Sequence, residues 1–168
     1  VLNNDTGEVL AYVANSGLVE DSVWVDGVQA QRQAGSTLKP FLYGLAIEKN
    51  RLTAASVIDD APINISTPLG LYVPQNYEHD FKGAVTVRTA LASSLNVPAV
   101  LTLGKVGVEP FWQLLNDVGF NLQEQADYYG NALALGGADI TVWQLANAYR
   151  SLANGGVWRD VSLTAKDA

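Results

Sequence analysis

The 168-residue chain has no cysteine, no methionine, one histidine and only 16% charged residues. Without cysteine, thiol nucleophiles, zinc fingers and disulfide frameworks are excluded. Apolar runs such as Val97 to Leu103 fall far short of the roughly 20 residues a helix needs to cross a bilayer. Positive charge is scarce: 10 Lys and Arg stand against 17 Asp and Glu, a net charge of −7. Five acidic residues, Asp5, Glu8, Glu20, Asp21 and Asp26, precede the first basic one, Arg32. That balance disfavours a nucleic-acid backbone or an anionic membrane surface as a partner. No phosphate-binding glycine loop is present, because Gly136-Gly137 lacks a following Lys-Ser/Thr. The first residue is Val1, no signal peptide opens the chain and methionine is absent throughout, so the sequence is expected to be a piece of a longer polypeptide.

What is present is material for a core. Hydrophobic residues make up 48% of the chain, with four Trp, seven Tyr and four Phe, and the length predicts a single domain spanning residues 1–168. Turn formers between two β-prone stretches in residues 1–13 predict a hairpin, and residues 15–34 read as irregular. A helix is predicted over 36–50, with Pro40 tolerated in or beside its first turn. Residues 53–83, containing three prolines, read as a long connection with short strands. Further helices are predicted over 86–95, restarting at Pro98, and over 110–118 with Gly119 as the stop. The best-specified helix covers 142–153: Thr141 and Gln144 form a capping box, Ile140 and Leu145 a hydrophobic staple, and Leu145, Tyr149 and Leu152 one apolar face. Asn154-Gly155-Gly156 ends it. Trp112, Trp143 and Trp158 sit among apolar neighbours and are expected to line the core or a groove.

Two short patterns could carry chemistry. Ser36 and Lys39 are three residues apart at a predicted helix start, so both project from one face, with the amine in reach of the hydroxyl. A serine becomes a nucleophile when a base removes its proton, and a lysine is such a base only if burial or nearby positive charge lowers its pKa. The bland alternative is an N-capping serine followed by a solvated lysine. Ser94-Leu95-Asn96 stands directly before Val97-Pro98, where proline disfavours helix, so a loop should present a hydroxyl able to relay a proton and a carboxamide able to donate and accept. Its bland alternative is a helix C-cap. Glu78-His79-Asp80 reads as a surface loop, since one histidine between adjacent carboxylates does not provide metal-ligand spacing.

Longer strings are more specific: Arg32-Gln33-Ala34-Gly35-Ser36-Thr37-Leu38-Lys39-Pro40-Phe41, Val85-Thr86-Val87-Arg88-Thr89-Ala90-Leu91, and Ser94-Leu95-Asn96-Val97-Pro98-Ala99-Val100. They resemble the transpeptidase domain of class A penicillin-binding proteins, most nearly the 1C subgroup. Asp5-Thr6-Gly7-Glu8-Val9-Leu10-Ala11, Leu135-Gly136-Gly137 and Gln144-Leu145-Ala146-Asn147-Ala148-Tyr149 extend the resemblance over Val1 to about Trp158.

The resemblance implies an α/β fold of the penicillin-recognising, β-lactamase-like type, a helical subdomain against an antiparallel sheet. It implies an acyl-transfer site in which Ser36 attacks the carbonyl between the terminal D-alanines of a peptidoglycan stem peptide. Lys39 takes the serine proton, Ser94 passes one to the leaving D-alanine, and Asn96 holds the substrate amide and orients Lys39. No cofactor or metal is implied. The implied partners are stem peptides and β-lactam antibiotics. The implied location is the periplasmic side of the bacterial inner membrane, within a larger anchored protein that also carries a glycosyltransferase domain.

One departure stands out. The family's third motif, Lys-Thr-Gly or Lys-Ser-Gly on a later strand, is absent, for Thr164-Ala165-Lys166 has neither its order nor its glycine. The chain is therefore expected to lack the C-terminal strands, to acylate poorly alone, and to expose a sheet edge through which it could self-associate. A serine β-lactamase is the rival within the fold, disfavoured because a Glu-x-x-Leu-Asn segment is missing after Asn96. A non-catalytic scaffold is the rival outside it.

Overall fold

The computed structural model describes residues 1–15, 24–67, 70–78 and 80–163. The described residues cluster into two compact units, one drawn from Ala34–Leu114 and Glu124–Ala138, the other from Val1–Gln33, Leu115–Gln123 and Asp139–Ala168.

The first unit is mainly helical. A 3-10 turn, Gly35–Leu38, leads into α1 (Lys39–Glu48), which has proline in its first turn as anticipated. After β2 (Val57–Asp60) and the hairpin of β3 (Ile65–Thr67) and β4 (Gly70–Tyr72), β5 (Gly83–Thr86) returns antiparallel to β2, pairing Asp60 with Gly83 and Val57 with Thr86. Thr86 then caps α2 (Val87–Ala92) by accepting from the Thr89 N–H at 3.2 Å. Next comes α3 (Asn96–Val106), followed by α4 (Val108–Asp117), which passes into the second unit at Leu115, and then by α5 (Ala126–Tyr129) and a second 3-10 segment, Gly130–Leu135. The core lies where α1 packs on α3 and on the second 3-10 segment: Leu38, Leu42, Ala46, Val97, Leu103, Leu133 and Ala134 are fully buried. Trp112 is half-buried and donates from its indole N–H to the Glu124 carbonyl at 2.9 Å.

Two boundaries differ from expectation. The helix read over 86–95 stops at Ala92, because Ser94 adopts a left-handed φ of 53° that no helix continues through. The next helix starts at Asn96, two residues ahead of the expected restart at Pro98. Pro98 is its third residue, where a missing N–H costs no intrahelical bond, so Val97 is helical despite preceding proline.

In the second unit, β1 (Arg32–Gln33) pairs antiparallel with β6 (Asp139–Ile140). The expected N-terminal hairpin forms, short and with one Leu2–Val9 bridge: the Asn3 N–H donates to the Glu8 carbonyl and the Leu10 N–H to the Val1 carbonyl, both at 2.9 Å, while the Asn3 side chain closes the turn by accepting from the N–H groups of Asp5 and Thr6. Helix α6 (Val142–Ala153) has the predicted capping box, the Thr141 N–H donating to Gln144 at 2.8 Å and the Gln144 N–H to Thr141 at 3.1 Å. Its packing face is not the predicted one. Tyr149 and Leu152 are exposed and Leu145 half-buried, while Asn147, Ala148, Arg150 and Ser151 are buried. The reason is Arg150, whose guanidinium lies beneath Gly7 and donates to the carbonyls of Asn4, Arg159 and Asp160, rotating that side of the helix inward. Trp143 packs against Tyr12 with ring centres 6.3 Å apart and planes tilted by 56°, and Trp158 covers Gly119, so both tryptophans pack as expected.

The fold is thus mixed α/β. In place of one broad sheet, the described residues form three two-stranded antiparallel ones.

Candidate active site

Ser36 sits in the 3-10 turn before α1, and that turn is held from behind by main-chain bonds. The Ala34 N–H donates to Ala138 at 2.9 Å and the Gly35 N–H to Gly136 at 3.1 Å. Both Gly35 (φ 58°) and Gly136 (φ 74°) use backbone angles that disfavour side chains, and a Cβ on Gly136 would fall on the backbone of Gly35. Two glycines let the chain segments touch, and the turn pushes Ser36 out to solvent.

Three residues on, Lys39 points inward and is only 1% exposed. Its ammonium has three donors, and each finds an oxygen: the Ser94 carbonyl at 2.6 Å, Asn96 Oδ1 at 2.7 Å and Ser94 Oγ at 3.2 Å. Burial lowers the Lys39 pKa from 10.5 to about 8, since desolvation disfavours the charged form, while oxygen acceptors favour it. The anticipated Lys39–Ser36 hydrogen bond is absent among the described residues. The amine is saturated by Ser94 and Asn96.

Ser94 and Asn96 flank the α2–α3 junction. The positive φ of Ser94 is the sort of strained single residue that surrounding structure must enforce. Asn96, first residue of α3, donates from Nδ2 to the Gln75 carbonyl at 2.8 Å and from its N–H to Asn76 Oδ1 at 2.8 Å. Gln75 can only accept there and Lys39 can only donate, so the orientation of the Asn96 amide is determined.

Ser36, Ser94 and Asn96 line one open cleft of about 690 Å³ with Asn76 and Lys82. Ser36, Ser94 and Asn96 at the cleft and Lys39, which Ser94 and Asn96 hold, lie up to 60 positions apart in the sequence and converge here. Of Glu78-His79-Asp80, His79 falls outside the described residues. Glu78 and Asp80 both pair with exposed Lys82, and no metal-ligating cluster occurs among the described residues.

Two residues that pattern reading missed are Asn76, 4% exposed, and Asp60, fully buried. A signal for Asp60 existed. Along β2 exposure alternates, so Asp60 shares the inward face of Ile58.

The chemistry of Lys39 makes a stability prediction. Between pH 8 and 10.5 the unfolded lysine holds its proton while the folded one releases it, so the unfolded state binds more protons and stability rises with pH. Denaturant unfolding of the wild type against Lys39→Met should show the wild type gaining relative to the variant over that window. A constant difference would mean that Lys39 is not desolvated.

Comparison with known proteins identifies the family. Residues 1–168 match the family described as penicillin binding protein transpeptidase domain. The chain is 34% identical over 156 residues to penicillin-binding protein 1A of Haemophilus influenzae and 35% over 158 residues to that of Neisseria meningitidis. These matches take in 92% of the chain but 18% and 19% of the relatives, so the chain spans about a fifth of their length. These relatives carry the 1A name, not that of the 1C subgroup. The crystal structure of the Haemophilus influenzae protein superposes with a TM-score of 0.84 at 32% identity, over 96% of this chain and 24% of that one. PonA1 from Mycobacterium tuberculosis in complex with penicillin V has a TM-score of 0.71 at 22% identity over 83% of this chain and 39% of that one, a likeness of fold.

Proposed function

Since the chain belongs to the penicillin-binding protein transpeptidase family, we propose that it carries the nucleophile half of a peptidoglycan DD-transpeptidase site, with Ser36, Lys39, Ser94 and Asn96 as its reacting and binding groups. The observation that carries the proposal is the set of three oxygens around the Lys39 amine.

Two of those oxygens, the Ser94 carbonyl and Asn96 Oδ1, can only accept. Once Lys39 is neutral it keeps two N–H groups, and these stay with the two acceptors. The lone pair then faces Ser94 Oγ, the one partner that can donate. A proton leaving Ser36 Oγ can pass through the Ser94 hydroxyl to Lys39, so the lysine need not touch the nucleophile. Ser36 Oγ attacks the carbonyl between the terminal D-alanines and forms an ester. The carbon–nitrogen bond breaks, and the departing D-alanine takes a proton from Ser94, which Lys39 replenishes. An amine of a second stem peptide then displaces Ser36 and forms the cross-link. β-Lactams acylate the same oxygen, and the ring nitrogen takes the leaving-group proton.

The chain acts as one part of a transpeptidase domain, within a larger anchored protein at the periplasmic face of the inner membrane. No helix among the described residues is long and apolar enough to cross a membrane. A strand carrying Lys-Thr-Gly, absent from these 168 residues, completes the oxyanion site. The chain alone is thus expected to acylate slowly and to associate through open strand edges.

The test is a fluorescent penicillin incubated with the full-length protein, followed by proteolysis and mass mapping. One slowly released ester on the peptide bearing Ser36 is expected. Rapid release would indicate a β-lactamase, and no label a scaffold.

A further inference from the structure

In the wall of the cleft lies a buried polar network of Asn76 and Asp60. The Asn76 carboxamide spans the gap between β2 and α3. Its Nδ2 donates to both Asp60 carboxylate oxygens, each at 2.9 Å, and to the Asp80 carbonyl at 2.9 Å. Its Oδ1 accepts from the N–H of Asn96 at 2.8 Å and from that of Val97 at 3.4 Å. Asp60 is held in turn by the Lys82 N–H at 2.9 Å. A carboxylate only accepts and a backbone N–H only donates, so the Asn76 amide has one orientation that satisfies both ends.

Helix α3 needs this contact. Its N-cap, Leu95, supplies no side-chain acceptor, and the first N–H groups of a helix have no partner within it. Asn76 provides the cap from 20 residues upstream. The adjacent Gln75 carbonyl holds Asn96 Nδ2, so two consecutive residues fix both the backbone and the amide of Asn96. That amide presents its oxygen to Lys39.

The geometry points to Asn76 and Asp60 as positioning residues for acyl transfer: Asp60 orients the Asn76 amide, Asn76 places Asn96, and Asn96 places the Lys39 amine. The inference rests on the reading of Ser36 as nucleophile and Lys39 as base. A side chain displaced by about 1 Å can cost on the order of 100-fold in rate. Asn76→Ala is therefore expected to lower the acylation rate constant by about 10- to 100-fold while the noncovalent affinity for penicillin changes little.

The experiment is a double-mutant cycle in the full-length protein, with acylation by fluorescent penicillin and thermal unfolding measured on each variant. If Asn76 acts through Asn96, adding Asn76→Ala to Asn96→Ala costs almost no further rate. The fall in Tm from Asn76→Ala persists in that background, because the N–H it caps belongs to the main chain. A role confined to stability would lower Tm and leave the acylation rate constant unchanged, and a rate effect independent of Asn96 would give losses that add. Asp60→Asn keeps the side-chain volume and should show a smaller rate loss with the same non-additivity, and it decides the matter if Asn76→Ala does not fold. Ser36 labelled normally in the wild type, with losses that add in full or with no loss at all, would overturn this inference alone. No label on Ser36 in the wild type would overturn the proposed function and this inference together.

Discussion

Lys39→Arg is expected to leave the protein folded and to slow acylation by about two orders of magnitude or more, the usual contribution of a general base. A guanidinium keeps its proton in a protein, so the arginine can donate to the Ser94 carbonyl and Asn96 Oδ1 but cannot take a proton from Ser94 Oγ. Burial brings the Lys39 amine to about 8, so an appreciable fraction is neutral near neutral pH, and that property disappears with the substitution. Ser36→Ala is the companion variant and should abolish covalent labelling outright. The pair is read by stopped-flow acylation and intact mass. Near-normal rates in Lys39→Arg would remove the lysine from proton transfer, and label persisting in Ser36→Ala would remove the serine from covalent chemistry.

The second large effect is expected at Gly136→Ala. A Cβ there meets the backbone of Gly35, which cannot rotate away as a side chain could, and a φ of 74° adds its own penalty. Overpacking of about 1–3 kcal/mol and left-handed strain of about 1–2 kcal/mol sum to roughly 2–5 kcal/mol of lost stability. Because Gly35 directly precedes Ser36, the turn bearing the nucleophile must shift too, and acylation should fall along with Tm. Gly44→Ala is the control. It lies on the exposed side of α1 with nothing within 4 Å of an added Cβ, so it should stabilise by about 0.5–1 kcal/mol and leave acylation unchanged. Equal Tm shifts in the two variants would show that the contact between the glycine segments yields easily.

The helices were legible where local signals agree. The Thr141–Gln144 capping box and the Gly119 stop come from residues within one turn of the ends they mark. What failed depends on partners remote in sequence. Nothing near Arg150 announces that carbonyls of Asn4 and Arg159 will draw it inward and turn Leu152 outward. The left-handed Ser94 likewise closes α2 early through the packing of a junction, although serine has no strong preference for that conformation. In the candidate site, spacing put Ser36 and Lys39 on one helical face, whereas the structure sends one to solvent and the other into the core. Ser94 and Asn96 were grouped with them only by family resemblance. Asn76 lay inside a stretch read as connection, and its importance arises from meeting Asp60 and α3 at once, which no local pattern encodes.

The hold on the lysine also bears on how mutation can reach this cleft. Ser94 grips Lys39 through its carbonyl at 2.6 Å, and Gln75 grips Asn96 through its carbonyl at 2.8 Å. Main-chain oxygens are common to every amino acid, so a substitution at 75 or 94 that keeps the local backbone path leaves those two contacts in place. A substitution at 94 that tolerates the left-handed φ of 53° strips the hydroxyl yet leaves the carbonyl's hold on the amine. Heritable variation in this cleft is thereby channelled toward side chains that hold by their own atoms, Asn96, Asn76 and Asp60, and toward glycines such as Gly136 that set where the backbone runs.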